Sequence, residues 1–339
     1  MRHYEYPETQ QFRTIAKNVK SDYTTRKDIN GTSVRVVDAP TLTFHGTVKL
    51  HGTNVAVVIK PDYTYYPQSR NNVLTAEQDS YGFYAFCKSR AAHFIEIRKE
   101  LERMYSYIAE YKYTIIVYGE WAGEGIQEGV GISNIERSFF IFGVRVQIVD
   151  IEYWLKDYGN IARKHVNIYN IKDFKSYCIA IDFKNPKMVQ NTLAELTEKI
   201  EHECPVAKEL GYPNTIGEGI VWTYYDSDGS VYRFKVKGKK HSSSKVTALA
   251  KIDIEVLNNI NDFIDYAVTI SRLQQGLKIL FPDDKLDVVK LGEYIRWVMQ
   301  DIIKEESDTL LENNLTIKQV GSAIADKVKE YFFEQYKDL

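Results

Sequence analysis

The sequence predicts an α+β fold with antiparallel sheets, followed by a small all-helical domain. Up to about residue 245, short apolar, β-branched and aromatic runs alternate with helical segments; beyond it, every segment has helical periodicity. A polar stretch, HSSS at 241–244, separates the two parts. We therefore assign residues 1–245 to an α+β domain and residues 246–339 to a helical domain.

Local patterns predict the elements of the first domain. Four compact runs are typical of strands: TLTFHGTVKL and NVAVVIK on either side of a turn at HGT, then YTIIVYGEW and SFFIFGVRVQIV. Two segments have helical spacing, CKSRAAHFIEIRKELERMYSY and NTLAELTEKIEHE. The Asp-Gly pair in DSDG predicts a hairpin between GEGIVWTYY and SVYRFKVKG.

The second domain consists of three segments with helical periodicity. FPDD and ENNL interrupt the pattern between them. The segments are IDIEVLNNINDFIDYAVTISRLQQGLKILF, LDVVKLGEYIRWVMQDIIKEESDTLL and TIKQVGSAIADKVKEYFFEQY.

Composition limits the classes of function. The formal net charge of −2 gives no global preference for a polyanion, so a nucleic-acid surface must come from local clusters of lysine and arginine. Cys87, Cys178 and Cys204 are widely spaced and form no CxxC pair, which argues against a disulfide framework or structural zinc. No apolar run approaches the roughly 18 residues of a membrane span. We expect a cytoplasmic protein, in the host cytoplasm if it is viral.

The hexapeptide KLHGTN (49–54) raises the first question of chemistry. A lysine at the end of a buried strand is usually a solvated strand end. Here Gly52 permits a close backbone approach, and Thr53 and Asn54 add short polar groups. Lysine acts as a nucleophile where desolvation or nearby cations keep part of the amine neutral. At this point Lys49 is either a solvated strand end or a nucleophile, and His51 has a turn-stabilising hydrogen bond as its simpler role.

A basic strip, RFKVKGKKHSSSK (233–245), is a plausible source of such cations. In a strand, residues 233, 235 and 237 share one face, opposite Phe234 and Val236. This row is either the solvated outer face of an edge strand or a row that binds phosphates. The strip has no acidic residue, and its cations are Arg233, Lys235, Lys237, Lys239, Lys240 and Lys245.

Two carboxylates lie beside glycines at predicted strand ends, Glu120 in YGEWAGEGIQ and Glu218 in GEGIVW. Each could be a strand terminus or a salt-bridge partner, but together they indicate a divided site for a ribose and a metal. Mg²⁺ takes one or two protein carboxylates together with phosphate oxygens. Arg70, in PQSRNN, is either an exposed loop residue or a fork for a phosphate.

Several nucleotide and catalytic motifs are absent from the sequence. The glycines of GEWAGEGIQEGVGI do not fit GxGxxG between a strand and a helix, and GxxxxGK[ST] does not occur. HxxxH, HExxH and GxSxG are also absent. A nucleoside triphosphate would therefore bind outside the P-loop and Rossmann designs.

Six segments, taken in order, resemble the motif series of covalent nucleotidyltransferases. They are KLHGTN (49–54), SR (69–70), YGEWAGEGIQ (118–127), FFIFGV (139–144), EGIVW (218–222) and KVK (235–237). The spelling KxHGTN resembles the RNA ligase 2 family, which includes bacteriophage enzymes, rather than the KxDG branch. VTISRLQQGLKIL and WVMQDIIKEE in the helical tail are similar to that family's C-terminal domain.

The resemblance implies an ATP-grasp-like ligase adenylation domain and an ATP-dependent RNA ligase, with Mg²⁺ or Mn²⁺ as cofactor. Lys49 would attack the α-phosphate of ATP to form lysyl-AMP. The AMP would pass to a 5′-phosphate on RNA, and a 3′-hydroxyl would then seal the strands. The partner would be duplex RNA with such ends, as in RNA repair, without a membrane, and the protein would act as a monomer.

The resemblance also implies individual roles. Glu120 would hold the ribose, Phe142 would stack on adenine, and Glu218 would bind the metal. Lys235 and Lys237 would neutralise phosphates, and the backbone of Val48 and Leu50 would contact the base. Asn54 and Arg70 would engage the adenylate phosphate and the RNA end, with His51, Lys239 and Lys240 as further candidates for contact with RNA.

Three positions depart from the family pattern. Val48 stands where the family commonly has glutamate, Gly143 where it has aspartate, and Thr223 where a lysine often follows the EGIVW element. A DNA ligase or a capping guanylyltransferase is an alternative, but these usually carry a C-terminal OB-fold, and this tail is helical. A non-catalytic RNA-end-binding protein is another alternative, but the complete set of lysines and glutamates argues against it.

Overall fold

The computed structural model describes residues 1–27, 33–35, 39–149, 151–184, 186–227, 229–238, 260–283 and 285–337. It confirms a mixed α+β fold with antiparallel sheets and C-terminal helices. The strands are β1 (Gln10–Gln11), β2 (Thr25–Lys27), β3 (Ser33–Arg35), β4 (Thr41–Lys49), β5 (Thr53–Ile59), β6 (Tyr65–Ser69), β7 (Thr114–Ala122), β8 (Ser138–Ile148), β9 (Ile151–Trp154), β10 (Ile168–Asn170), β11 (Ser176–Asp182), β12 (Gly219–Tyr225) and β13 (Val231–Lys237). The helices are α1 (Phe12–Thr24), α2 (Phe83–Ser89), α3 (Ala91–Met104), α4 (Ser106–Glu110), α5 (Gln190–His202), α6 (Pro205–Glu209), α7 (Ile260–Ala267), α8 (Ile270–Leu280), α9 (Leu291–Glu312) and α10 (Ile317–Lys337).

The first sheet has five strands in the order β1-β13-β12-β4-β11. Strand β4 alternates strictly, so Leu42, Phe44 and Val48 are buried on one face and Lys49 lies on the other. Phe234 of β13 stacks on Trp222 of β12, with 6.3 Å between the ring centroids, on the buried face. The opposite face therefore carries Lys49.

The second sheet has six strands, β10-β8-β7-β5-β6 with β9 paired to β8. One face packs against α2 and α3 through a large apolar core that includes Val55, Val57 and Ile115. The other face carries a smaller cluster, against which an N-terminal segment packs through Tyr4 and Tyr6. Helices α2 and α3 therefore cover one face of the sheet, and the N-terminal segment covers part of the other.

The KLHGTN segment connects the two sheets. The sequence predicted a strand on either side of a turn, and both strands are present, but they do not pair with each other. Strand β4 pairs with β11 and β12, whereas β5 pairs with β6 and β7. The segment is thus a passage from one sheet to the other and not a hairpin turn, which places Lys49 beside both sheets.

Most other predicted elements are present with adjusted bounds. The helix predicted over 87–107 is divided at Arg90 and Tyr105 into α2, α3 and α4. The predicted hairpin forms, and the N–H of Asp226 donates to the carbonyl of Ser230 at 2.8 Å across its turn. Helix α1 was not predicted, although its buried Phe12, Ile15 and Val19 have helical spacing.

The described residues fall into two compact units. One comprises Met1–Pro186 and Thr197–Val236, and the other Lys187–Leu196 and Lys237–Leu339. The second unit has its own core of residues from α7 to α10. The boundary predicted near residue 245 and the HSSS stretch lie outside the described residues, so the division into 1–245 and 246–339 stays a prediction. No helix in the described ranges is long and apolar enough to cross a membrane.

Candidate active site

Lys49 ends β4 with its amine against a carboxylate. Its Nζ donates to Oε2 of Glu218 at 2.6 Å and lies 3.4 Å from the carbonyl oxygen of Leu50. The Lys49 side chain is 22% exposed and that of Glu218 only 4%. The amine is therefore directed into a partly buried polar site and is not a fully solvated strand end.

Strand pairing brings Glu218 to this position. Gly219 at the start of β12 is paired with Lys49, so the preceding residue lies at the strand end beside the amine. The approach to β12 is anchored from two sides: the N–H of Gly131 donates to the carbonyl of Ile216 at 2.8 Å, and that of Gly217 to Ile200 at 3.0 Å. These backbone bonds hold the chain where it enters the site.

Glu120 lies on the neighbouring sheet and is tied to the same connection. Its Oε1 accepts a hydrogen bond from the N–H of Gly52 at 3.0 Å. A Cβ at position 52 would collide with the carbonyl oxygen of Trp121 and lie 2.9 Å from Cβ of Ala122. The glycine thus permits the backbone approach through which the passage between the sheets is joined to Glu120.

Burial raises the pKa of Glu120 to about 7; Lys49 and Arg70 oppose this shift, and Glu218 adds to it. The electrostatic influence of all three groups shows that they lie close to this carboxyl. A carboxyl that changes charge near neutrality, beside an amine and a second carboxylate, is common at functional sites.

We expect Glu120 to reduce stability as the pH rises. An unfolded glutamate titrates near 4.3. Between about pH 4.3 and 7 the folded protein therefore binds more protons than the unfolded chain, and the free energy of unfolding falls with rising pH. Glu120→Gln cannot ionise, so its melting temperature relative to wild type should increase from pH 5 to pH 8, corresponding to about 2–3 kcal/mol. Thermal unfolding of both proteins across this range tests the prediction, with the exposed Glu124→Gln as control. A constant difference, or one of opposite slope, would contradict it.

Asn54 and Arg70 flank Glu120. Asn54 in β5 pairs directly with Glu120 in β7, and opposed residues of an antiparallel pair point to the same face. Arg70 follows β6 and is exposed. The structure thus brings Lys49, Asn54, Glu120 and Glu218 together and adds Arg70 at the rim.

Phe142 owes its position to a bulge. Tyr118 pairs with Gly143 and Gly119 with Ile141, which leaves Phe142 as the extra residue of β8. Its ring meets Tyr6 edge-on, with 5.0 Å between centroids. Tyr6 also contacts Tyr118 and Trp154, at 5.2 and 5.5 Å. We call these four rings, Tyr6, Tyr118, Phe142 and Trp154, the aromatic wall.

Side-chain hydrogen bonds attach the N-terminal part of the aromatic wall to the second sheet. The side-chain amide of Gln68 donates to the carbonyl of Tyr4 at 2.6 Å and accepts from its N–H at 3.0 Å. The hydroxyl of Tyr118 donates to the same carbonyl at 3.1 Å. Tyr6 is therefore a fixed component of this face.

The basic row on β13 is not a fully solvated outer face. Arg233 is 8% exposed, and Lys235 and Lys237 are half-buried. Phe234 and Val236 point to the apolar core, so Arg233 and Lys235 point to the face that carries Lys49. Lys239 and Lys240 lie outside the described residues, and their role at the RNA end stays a prediction.

The remaining predicted residues are Val48, Leu50 and His51. The side chains of Val48 and Leu50 are buried in the apolar core, at 3% and 6% exposure, so only their backbone could contact a ligand. His51 is half-buried in the passage between the sheets.

Sequence reasoning missed Tyr6 and Trp154. These residues meet Phe142 from distant parts of the chain, and no local pattern indicates such contacts.

The two carboxylates fit a divalent cation that arrives with a nucleotide. Among the described residues, no group of three or more His, Cys, Asp or Glu could hold a metal by itself. Glu120 and Glu218 are close enough for one to raise the pKa of the other. Mg²⁺ usually takes one or two carboxylates plus phosphate oxygens, and Mn²⁺ accepts the same oxygen ligands. This donor set fits such an ion.

Residues 42–237 match a family model described as RNA ligase. No curated protein sequence matches the chain.

Among solved structures, the chain is similar to an RNA ligase of Naegleria gruberi with PPi, at 14% identity and a TM-score of 0.39, over 70% of this chain and 57% of that chain. A mutant of that ligase with AMP and Mn has a TM-score of 0.40 at 14% identity, over 70% of this chain and 56% of that chain. A mutant with ATP and Mn has a TM-score of 0.42 at 14% identity, over 71% and 58%. The chain thus spans less than two thirds of the length of that ligase.

Proposed function

Because the chain belongs to the RNA ligase family, we propose that it is an ATP-dependent RNA ligase that joins a 3′-hydroxyl end to a 5′-phosphate end, at nicks in duplex RNA. The observation that carries the proposal is the amine of Lys49, 2.6 Å from the buried carboxylate of Glu218 and within electrostatic reach of Glu120. Such a site combines a nucleophile with two groups that bind polar or cationic partners.

The reaction would proceed in three steps. Lys49 attacks the α-phosphate of ATP, so that a nitrogen–phosphorus bond forms and the bond to pyrophosphate breaks. The AMP then moves to the 5′-phosphate of RNA, which regenerates the amine. A 3′-hydroxyl finally attacks that phosphate and releases AMP. Phosphoryl transfer of this kind depends on positioning and charge neutralisation more than on further covalent groups.

We assign the surrounding side chains by their chemistry. Glu120 would accept hydrogen bonds from the ribose hydroxyls, and Phe142 would stack on adenine, since both lie on one face of the second sheet. Lys235 and Lys237 would neutralise phosphates from the first sheet. Glu218 would hold Mg²⁺ or Mn²⁺, which when bound offsets the negative charge of the phosphates.

The remaining roles concern the ends of the site. Asn54 and Arg70 lie beside Glu120 and would engage the adenylate phosphate and the RNA end. The backbone of Val48 and Leu50 would contact the base, and His51 would contact the RNA end. We also propose that the protein acts as a monomer.

Covalent labelling tests the first step. The protein is first treated with pyrophosphate to remove AMP already bound, then incubated with α-labelled ATP or GTP and Mg²⁺ and denatured. We expect label from ATP to remain on the protein. Label from GTP alone would favour a guanylyltransferase, and no label from either nucleotide would refute the proposed function, leaving a non-catalytic RNA-end-binding protein as the alternative.

Nicked duplexes identify the polymer. Four substrates carry RNA or DNA independently on the 3′-hydroxyl and the 5′-phosphate side of the nick. We expect sealing where the 3′-hydroxyl side is RNA. Single-stranded RNA ends should be sealed more slowly than nicks in a duplex. A protein that seals only all-DNA nicks would contradict the assignment to RNA.

A further inference from the structure

Arg233 is a buried cation without an anionic partner in the described parts of the chain. It is 8% exposed. Within those ranges its guanidinium forms neither a salt bridge nor a hydrogen bond. Burial of a charge without an acceptor is costly, and buried arginines are normally paired.

Aromatic rings surround this guanidinium. Its central carbon lies 4.0 Å from the ring centre of Trp154, 5.5 Å from that of Tyr6 and 5.9 Å from that of Tyr225. Cation–π contacts recover part of the cost, about 0.5–2 kcal/mol each. They use the faces of the rings, however, and among the described residues the five N–H donors of the guanidinium have no hydrogen-bond acceptor.

The position of Arg233 indicates where an acceptor would come from. Four residues of strand separate it from Lys237, about 13 Å at 3.3 Å per residue. Gly219 pairs with Lys49 and lies at the end of β12 that is far from the hairpin turn. Arg233 lies in β13, closer to the turn. The phosphates belong at the Lys49 end, so Arg233 lies at the opposite end of the site.

Tyr6 connects Arg233 with the ring proposed to stack on adenine. The Tyr6 ring is 5.0 Å from Phe142 and 5.5 Å from the guanidinium. Both Arg233 and Glu120 act on the pKa of Tyr6, which burial raises. Arg233 therefore borders the region between Phe142 and Glu120, the carboxylate proposed to bind the ribose.

We infer that Arg233 is a specificity-determining residue that donates hydrogen bonds to a ring nitrogen of the adenine base. The inference rests on the proposed function and deepens it. Adenine offers N1, N3 and N7 as acceptors at its edges, and an arginine N–H is a suitable donor to each. The bound base would supply an acceptor that the described residues do not, and Trp154, Tyr6 and Tyr225 hold the guanidinium in place for it.

Nucleotide analogues test this contact. The second-order rate constant for covalent labelling is measured with ATP, 1-deaza-ATP, 3-deaza-ATP and 7-deaza-ATP, for wild type and Arg233→Met. We expect one analogue to react at least about tenfold more slowly than ATP with wild type. With ATP, Arg233→Met should be labelled more slowly than wild type by a similar factor. With that analogue, the variant and wild type should be labelled at the same rate.

Stability provides a second, independent readout. Methionine keeps much of the length of the side chain and removes a buried charge that has no ion-pair partner within the described ranges, so Arg233→Met should melt at the same temperature as wild type or higher. Arg145→Met is the matched control, because Arg145 is 6% exposed and lies 5.7 Å from the same Trp154 ring. Arg145 has a partner in Glu152 at 3.3 Å, and its replacement should lower the melting temperature without dependence on the analogue.

The outcomes separate the inference from the proposed function. If Arg233→Met lowered the labelling rate by the same factor with ATP and with every analogue, the inference would be overturned. It would also be overturned if the variant were labelled normally but failed to transfer AMP to RNA. Wild type that accepts no nucleotide would instead refute the proposed function itself.

Discussion

Replacing Lys49 by alanine should abolish covalent labelling by ATP, with a loss of at least about 10³-fold. The reason is chemical: the proposed nucleophile is the Lys49 amine, which contacts Glu218 and acts electrostatically on Glu120, and alanine has no amine. The measurement is label retained on the denatured protein after incubation with α-labelled ATP and Mg²⁺.

Two controls make this result specific to the nucleophile. Lys60→Ala removes another lysine that follows a buried strand, whose amine lies 5.8 Å from the Tyr66 ring, and should label like wild type. RNA that already carries AMP on its 5′-phosphate bypasses the first step, so sealing of this RNA by Lys49→Ala reports that the variant is folded. A labelled adduct on Lys49→Ala would mean that a different residue is the nucleophile.

Gly52→Ala should cause the second large loss, about 10²-fold in labelling rate. The added Cβ would collide with the carbonyl oxygen of Trp121 and lie 3.0 Å from Cγ of Glu120. The backbone must move, which breaks the 3.0 Å bond from Gly52 to Glu120 and displaces Lys49, three residues earlier. Overpacking of this kind also costs about 1–3 kcal/mol of stability.

Gly292→Ala is the matched control for this substitution. Gly292 lies in the first turn of α9, and a Cβ there would meet nothing within 4 Å. Alanine favours a helix, so this variant should be at least as stable as wild type and label normally. Labelling by Gly52→Ala at the wild-type rate would show that the contact with Glu120 does not position the nucleophile.

Local pattern predicted most of the strands and helices because their periodicity is a property of adjacent residues. It did not predict that the strands flanking KLHGTN belong to different sheets. A turn between two apolar runs looks the same in sequence whether the runs pair with each other or with others. The pairings of β4 and β5 are made with strands that are distant in the chain.

In the candidate site, too, local sequence pattern did not predict contacts between distant parts of the chain. Lys49, Glu120 and Glu218 were identified from their local contexts and from the order of the motifs, and the structure brings them together. The alternation of β13 also indicated that Arg233 shares a face with the lysines. Neither pattern could show that Arg233 would be buried against Trp154, because that contact joins two strands of different sheets.

Gly143 and Trp154 have a consequence for how relatives of this chain vary. A Cβ at position 143 would lie 3.1 Å from the indole of Trp154, a tight contact that a larger residue could make only if the ring shifted by a few tenths of an ångström. The indole in turn holds Arg233. We therefore expect these three positions to covary across the family, and an alignment of many relatives would test this.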